Sequence, residues 1–415
     1  MGKAIVEEVL RRMEEEAIYE MLHYHEKTGK QKIKDAVKKA AGRYVAPKDL
    51  IFWPTAMIAN CLTEWELGGV LMNEKTFTNE KAFTNEKASM EEKALSAVKA
   101  YFDRWIDAGM PIFYIDDTLA GVSLVDLYAA TGDEKYKAGA DKMAEYLFRL
   151  EREEADADGS IPYRPSQKSG YVFADGVGMV CSFLVKYGVA FHNAHSVELG
   201  LLQMRNMFLL GMDDKTGLPY HGFRREGNAS HGANCVTKCG IIGWGRAVGW
   251  LLMGLARSLR SLEKYLAEGK KGAIADVCRA GYEECSREYR QLLAAVVPYQ
   301  KENGAFTWQL QALEGPEDSS ATAMIAYAAL MGIPSGQDDA ENEDTDENAY
   351  RGTDVWKGAE ELANRAAAYL AGCEKDGKIY HCLAECMGFA EYPQVYGAYP
   401  WSLGPGLGVL RKKGV

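Results

Sequence analysis

Gly243-Trp244-Gly245-Arg246-Ala247-Val248-Gly249-Trp250-Leu251-Leu252-Met253-Gly254-Leu255 is an aromatic, basic opening that runs straight into an apolar helix. The apolar stripe continues through Val248, Leu251, Leu252, Leu255, Leu259 and Leu262, at the i, i+3/i+4 spacing of a buried helix face. The same arrangement, an aromatic or polar loop followed by an unusually small and apolar helix, recurs along the chain. It starts at Phe52-Trp53, Tyr114-Ile115-Asp116, Phe173-Ala174-Asp175, Gly243-Trp244, Asp318-Ser319-Ser320 and Tyr399-Pro400-Trp401. Steps of about 60–80 residues leave room for an inner helix, a turn, an outer helix and a return loop. Helices that are apolar nearly all round are buried on both sides, whereas the charged helices between them are half exposed. Six of each, alternating, predict an all-α protein: an (α/α)6 toroid of six helical hairpins, in one domain over residues 1–415, with a generic helical solenoid or bundle as the competing arrangement. Alternation with period two is almost absent. In such a ring the inner helices begin around a shared funnel, where Asp116, Asp175, Trp244 and Arg246 are expected to meet.

The rest of the chain is read around that ring. Residues 1–43 form two amphipathic helices rich in Glu, Lys and Arg, expected on the outside. Asn-Glu-Lys repeats at 73–75, 79–81 and 85–87, a six-residue period that fits no standard supersecondary repeat, so 73–93 is read as a surface insertion. Residues 335–352 read as an acidic loop. Asp344-Thr345-Asp346-Glu347-Asn348 begins like a calcium loop, but Ala349 and Val355 stand where Gly and Glu are required, which excludes it. A net charge of −11 provides no broad basic face for phosphates, so no nucleic-acid partner is expected. Residues 1–8 lack the apolar core of a secretory signal, and no apolar run reaches membrane-spanning length. Nine cysteines, an odd number spread over a long chain, fit reduced thiols, so a cytoplasmic location is expected.

Three clusters between Tyr163 and Trp250 carry the chemistry. Phe173-Ala174-Asp175-Gly176-Val177-Gly178-Met179 sets a carboxyl among apolar neighbours, which disfavour its charged form and suit it to general-acid work. The competing reading of Asp175 is a helix cap. Of the adjacent pair Asp116-Asp117, the first is taken as the second carboxylate of the funnel and the second as a cap. His221 follows the turn Thr216-Gly217-Leu218-Pro219 and is suited to orient substrate or water. Arg246, between Trp244 and Trp250, offers a guanidinium fork for a carboxylate beside rings that stack on a sugar. Cys235, Cys239 and His231, or Cys382, Cys386 and His381, are weak zinc patterns with three-residue gaps, and no metal is expected. No phosphate-binding loop or dinucleotide fingerprint occurs.

At these residues the chain resembles the unsaturated glucuronyl and rhamnogalacturonyl hydrolases, glycoside hydrolase families 88 and 105, the rhamnogalacturonyl group more closely. The Asp-x-x-x-Met segment is matched by Asp175 and Met179, and Trp-x-Arg-x-x-Gly-Trp by Trp244, Arg246, Gly249 and Trp250. Thr-Gly-Leu-x-x-His is matched through His221, and the inner-helix Asp by Asp116. Asp318-Ser319-Ser320-Ala321-Thr322-Ala323-Met324 and Pro400-Trp401-Ser402-Leu403-Gly404-Pro405 match two further segments.

The resemblance implies an (α/α)6 hydrolase that removes a 4,5-unsaturated uronic acid from lyase-generated oligosaccharides. Asp175 would protonate C4 of the vinyl ether, water would add at C5, and Asp116 would position that water or share the proton. Substrate would be held by His221, Trp244, Arg246, Trp250, Met179, Arg164, Phe173 and Trp53, with no metal or organic cofactor. The partner implied is an unsaturated uronyl disaccharide or short oligosaccharide, with no membrane and a monomeric or homodimeric protein. Tyr163-Arg164, Phe173, Gly245 and Ala247-Val248 depart from common family residues, which leaves the uronate and its linked sugar open. The alternatives are an inverting glycosidase, a sugar epimerase with His192 and His195 in the funnel, or a silent carbohydrate-binding protein.

Overall fold

A computed structural model describes residues 3–24, 26, 29–43, 49–64, 89–163, 170–226, 235–333, 347–389 and 391–415. The chain begins with α1 (Lys3–His23), α2 (Gly29–Ala40), α3 (Trp53–Thr63) and α4 (Met90–Asp107). A 3-10 turn (Ile115–Ala120) leads into α5 (Gly121–Thr131), followed by α6 (Glu134–Glu154), strand β1 (Tyr171–Phe173), α7 (Ala174–Ala190) and α8 (Ala194–Leu210). Strands β2 (Tyr220–Glu226) and β3 (Cys235–Ile242) precede α9 (Gly245–Ala267), α10 (Ala273–Val296), α11 (Ser319–Gly332), α12 (Glu347–Cys373) and α13 (Pro400–Lys413).

Every residue of α3 and of α11 is buried, a condition that only neighbours on all sides can satisfy. The ring supplies them: α3, α5, α7, α9, α11 and α13 pack side by side in chain order, and α13 closes against α3. Outside them, α6 rests on α5, α8 on α7, α10 on α9 and α12 on α11, while α1 lies against α13, α3 and α4. This is the expected (α/α)6 toroid, and its inner helices begin where the six sequence signals stood.

Four local readings differ from expectation. Helix α2 buries none of its residues, so only α1 of the N-terminal pair serves as an outer helix. Residues 90–93 belong to α4, whose start is fixed by a capping box between Ser89 and Glu92, and not to the expected insertion; residues 73–88 lie outside the described residues. The acidic stretch turns helical at Glu347, and residues 335–346 are likewise outside the description. An antiparallel sheet β1-β2-β3 stands at the funnel end. One of its strands has three residues, too few for alternation to register. Among the described residues no helix is long and apolar enough to cross a membrane.

The tightest helix pair is α7 with α9. A Cβ on Gly178 would stand 2.3 Å from the carbonyl oxygen of Trp250, and one on Gly254 would stand 2.8 Å from the carbonyl oxygen of Gly178. Both obstructions are backbone and cannot rotate away. Gly178→Ala is therefore expected to destabilise by about 1–3 kcal/mol, read as a lower urea midpoint at unchanged m-value.

Helix α10 carries an acid that the ring does not neutralise. Burial, with Glu284 close by, pushes the Glu288 carboxyl up to about 8, against the pull of Arg287 and Arg205. The folded protein thus holds this proton more tightly than the unfolded chain, and stability falls as pH rises from about 4.5 to about 8. Glu288→Gln should match the parent near pH 4.5 and exceed it by roughly 2–4 kcal/mol at about pH 9, in thermal melts across pH.

Candidate active site

A cavity of about 460 Å³ opens where the inner helices begin. The structure brings nine of the expected site residues to its wall: Trp53, Asp116, Phe173, Asp175, Met179, His221, Trp244, Arg246 and Trp250. Arg164 lies outside the described residues. His192 and His195 are elsewhere: His192 sits beside Tyr265, and His195 Nε2 lies 2.8 Å from Glu151.

Asp175 is the second residue of α7. Phe173 occupies the cap position and no side chain caps the helix, so Asp175 has no capping role. Its Oδ1 is buried, makes no hydrogen bond and lies 3.7 Å from His221 Nε2. His221 is on strand β2, not in a loop as its preceding turn suggested. Pairing of Phe173 with Gly222 draws it beside α7, and a register irregularity between Tyr220 and Gly222 re-aims its side chain into the cavity. The ring is 1% exposed. Its Nδ1 is 2.7 Å from the Tyr392 hydroxyl, while Nε2 makes no hydrogen bond and faces Asp175.

Asp116 is held in the 3-10 turn, where the Tyr163 hydroxyl donates to its Oδ2. Burial, then Asp116 and Asp175, pushes the Tyr163 phenol well above its ordinary range, so it stays a donor. Asp117 is structural: Oδ2 accepts the backbone N–H groups of Phe113 at 2.7 Å and Tyr114 at 3.0 Å. These two bonds secure the turn that presents Asp116.

Arg246 differs most from its expected role. Its guanidinium stacks over Trp244, 4.8 Å from the ring centroid, and its fork is turned to two backbone carbonyls. Nη1 donates to the Leu383 carbonyl and Nη2 to the Ala384 carbonyl, each at 2.8 Å, and Nη1 stands 3.9 Å from Asp318 Oδ2. Asp318 caps α11 through Ser320 and accepts the N–H of Leu383 at 3.1 Å. Trp401 Nε1 adds a bond of 3.0 Å to the Leu383 carbonyl. Three inner helices thus grip Leu383 and Ala384, at the end of a short antiparallel pairing of Cys382–Leu383 with Tyr396–Gly397.

What they grip is the part of the site the sequence reading missed. Glu385, Cys386, Met387, Gly388 and Phe389 follow directly and line the cavity, with Tyr171 opposite. Phe389 stacks on Phe173 at 4.1 Å. Glu385 is open to the cavity yet packed closely enough for desolvation to raise its carboxyl, against the pull of Trp53 and Arg246. The available signals were Cys386 in its weak zinc pattern and Met387-Gly388-Phe389 with Tyr392, which shares the glycine and aromatic character of the other funnel loops.

Fold and cavity together define a helical toroid whose single described funnel combines carboxyls with stacked rings. The family described as Glycosyl Hydrolase Family 88 matches residues 82–377, and the chain belongs to it. It is 25% identical over 241 residues to the unsaturated rhamnogalacturonyl hydrolase YesR of Bacillus subtilis (strain 168). That match spans 57% of this chain and 63% of the relative, short of two thirds of its length. A possible GH105 member from Klebsiella pneumoniae superposes with a TM-score of 0.69 at 14% identity, over 100% of this chain and 94% of that one. An unsaturated glucuronyl hydrolase specific for heparin gives 0.61 at 15% identity, over 98% and 96%. At those identities the likeness is one of fold.

Replacing Arg246 by Lys keeps a charge but loses the planar fork that reaches two carbonyls. We expect Arg246→Lys to destabilise by about 1.5–3 kcal/mol and to quicken proteolysis within 384–397. Thermal melts and limited digestion with mass mapping would show it; unchanged protection would mean that the segment is anchored elsewhere.

Proposed function

We propose that this protein is a hydrolase that removes a 4,5-unsaturated uronic acid from the non-reducing end of lyase-generated oligosaccharides. Its preferred substrate in this reading is unsaturated galacturonyl-rhamnose from rhamnogalacturonan. The observation that carries it is the Asp175 carboxyl, with a buried oxygen that has no hydrogen bond and faces a ring-lined cavity.

The chemistry follows from those groups. Asp175 gives its proton to C4 of the vinyl ether, and the ring oxygen shares the positive charge that develops at C5. Water adds at C5 and its spare proton returns to the Asp175 carboxylate. The resulting hemiketal opens and releases the neighbouring sugar. Asp116, oriented by the Tyr163 hydroxyl, holds the water. His221 stands 3.7 Å from Asp175 and keeps the carboxyl aimed at the substrate. Trp53, Trp244, Trp250 and Phe173 supply stacking faces, and the buried indole N–H of Trp244, which makes no hydrogen bond, is a donor for a sugar hydroxyl. The named activity of the Bacillus subtilis relative supports the substrate class. The free cysteines among the described residues support a reducing, cytoplasmic setting. The epimerase alternative loses its basis, since His192 and His195 do not line the cavity.

Asp175→Asn is expected to lower kcat by about 10²–10⁴-fold while sugar binding persists. The readout is loss of the conjugated ultraviolet absorbance of lyase-digested pectin, with binding followed by calorimetry. Full activity in this variant, or sugar release with the absorbance intact, would sink the reading.

A further inference from the structure

Three side chains from three separate elements converge inside the cavity: Asp175 from α7, His221 from β2 and Cys386 from the segment held by Arg246. One ligand atom from each lies within 4.8 Å of the other two. Around a tetrahedral zinc ion such atoms stand roughly 3.3–3.6 Å apart, given bonds of about 2.0–2.3 Å. The Asp175–His221 separation of 3.7 Å is nearly there already, so only the thiol has to move inward.

A second, independent observation points to a ligand. His221 is 1% exposed, yet its Nε2 makes no hydrogen bond, and neither does the buried Oδ1 of Asp175 facing it. Behind the ring, Tyr392 Oη stands 2.7 Å from Nδ1. With the proton on Nδ1 and donated to Tyr392, Nε2 turns its lone pair into the cavity. This is the orientation that outer partners impose on metal-binding histidines. The zinc patterns in the sequence do not form this set: Cys382 is buried with its Sγ toward the Leu383 carbonyl, and His381 is exposed.

We propose that Asp175, His221 and Cys386 form a binding site for a thiophilic divalent cation of the zinc class, and that its occupation shuts the active site. One sulfur, one nitrogen and one oxygen leave a fourth position for water facing the cavity. The cation displaces the thiol proton and the carboxyl proton of Asp175, both of which leave to solvent, and nothing is oxidised or reduced. Binding requires only the three ligands. Inhibition rests on the catalytic reading above, because an Asp175 carboxylate bound to a cation has no proton to deliver.

Cobalt(II) is the probe. One equivalent added to the purified full chain should give the visible bands of four-coordinate cobalt and a near-ultraviolet thiolate-to-cobalt transition, both bleached by one equivalent of zinc(II). Cys386→Ser should abolish the thiolate transition and weaken zinc by on the order of 100-fold, while Cys239→Ser keeps both. Tyr392→Phe, which removes only the outer partner, should weaken zinc by about tenfold and keep the transition. Zinc should inhibit the parent reversibly, with relief by a chelator, and inhibit Cys386→Ser only at correspondingly higher concentration. Absence of the thiolate transition, or equal affinity in Cys386→Ser, overturns the site, and tight binding without inhibition overturns the blocking role. A protein that binds cobalt as expected but never hydrates the uronate keeps the cation site and loses the catalytic reading.

Discussion

The structure depends on how closely α7 and α9 approach each other. With hydrogen atoms at Gly178 and Gly254, the two backbones touch where any other pair of helices would be held apart by side chains. Contact at that range gains dispersion along both helices and brings their first turns side by side. Those first turns carry Asp175 and Met179 on one helix, and Trp244, Arg246 and Trp250 around the other. Asp175 and the aromatic wall are therefore neighbours for a packing reason, the close approach of Gly178 to the backbone of Trp250.

A second constraint acts across the mouth of the ring. Arg246 and Asp318 are both almost fully buried, and a pair of charges in that position is favourable only when further hydrogen bonds occupy their remaining atoms. The backbone of Leu383 and Ala384 supplies such bonds to the guanidinium and to Asp318 Oδ1, while Asp318 Oδ2 makes no hydrogen bond. The exchange is mutual: beside its pairing with Tyr396, Leu383 has its N–H and carbonyl satisfied by Asp318 and by Arg246 with Trp401. One arrangement thus neutralises two charges, satisfies two residues of backbone and delivers Glu385 to Phe389 to the site.

The same segment explains why the cavity has features beyond one buried carboxyl and a wall of rings. Cys386 enters from one side and His221 from the other, each placed by a different element, with Asp175 between them. Sites built where separate elements converge can collect side-chain types that no single motif contains.

How much of this was legible in the chain depends on the range of the cause. Helix starts were legible because a small, apolar, 3.6-periodic run is a local property, and six of them in order leave a closed ring as the arrangement that buries them all. Asp116, Asp175, Trp244 and Trp250 were legible as residues of the cavity wall because they lie at or near those starts. The partners were not. Arg246 looks free in sequence because Leu383 and Ala384 are more than 130 residues away. His221 reads as a loop residue because the pairing of β1 with β2 joins segments some fifty residues apart. Glu385 and Cys386 carry no helical signal at all. Composition and periodicity by themselves determined the toroid and the end of it that bears the funnel, since burial demands act residue by residue. Which polar atoms meet inside the funnel was decided only by tertiary structure, because a hydrogen bond is set by distance in space and not by separation along the chain.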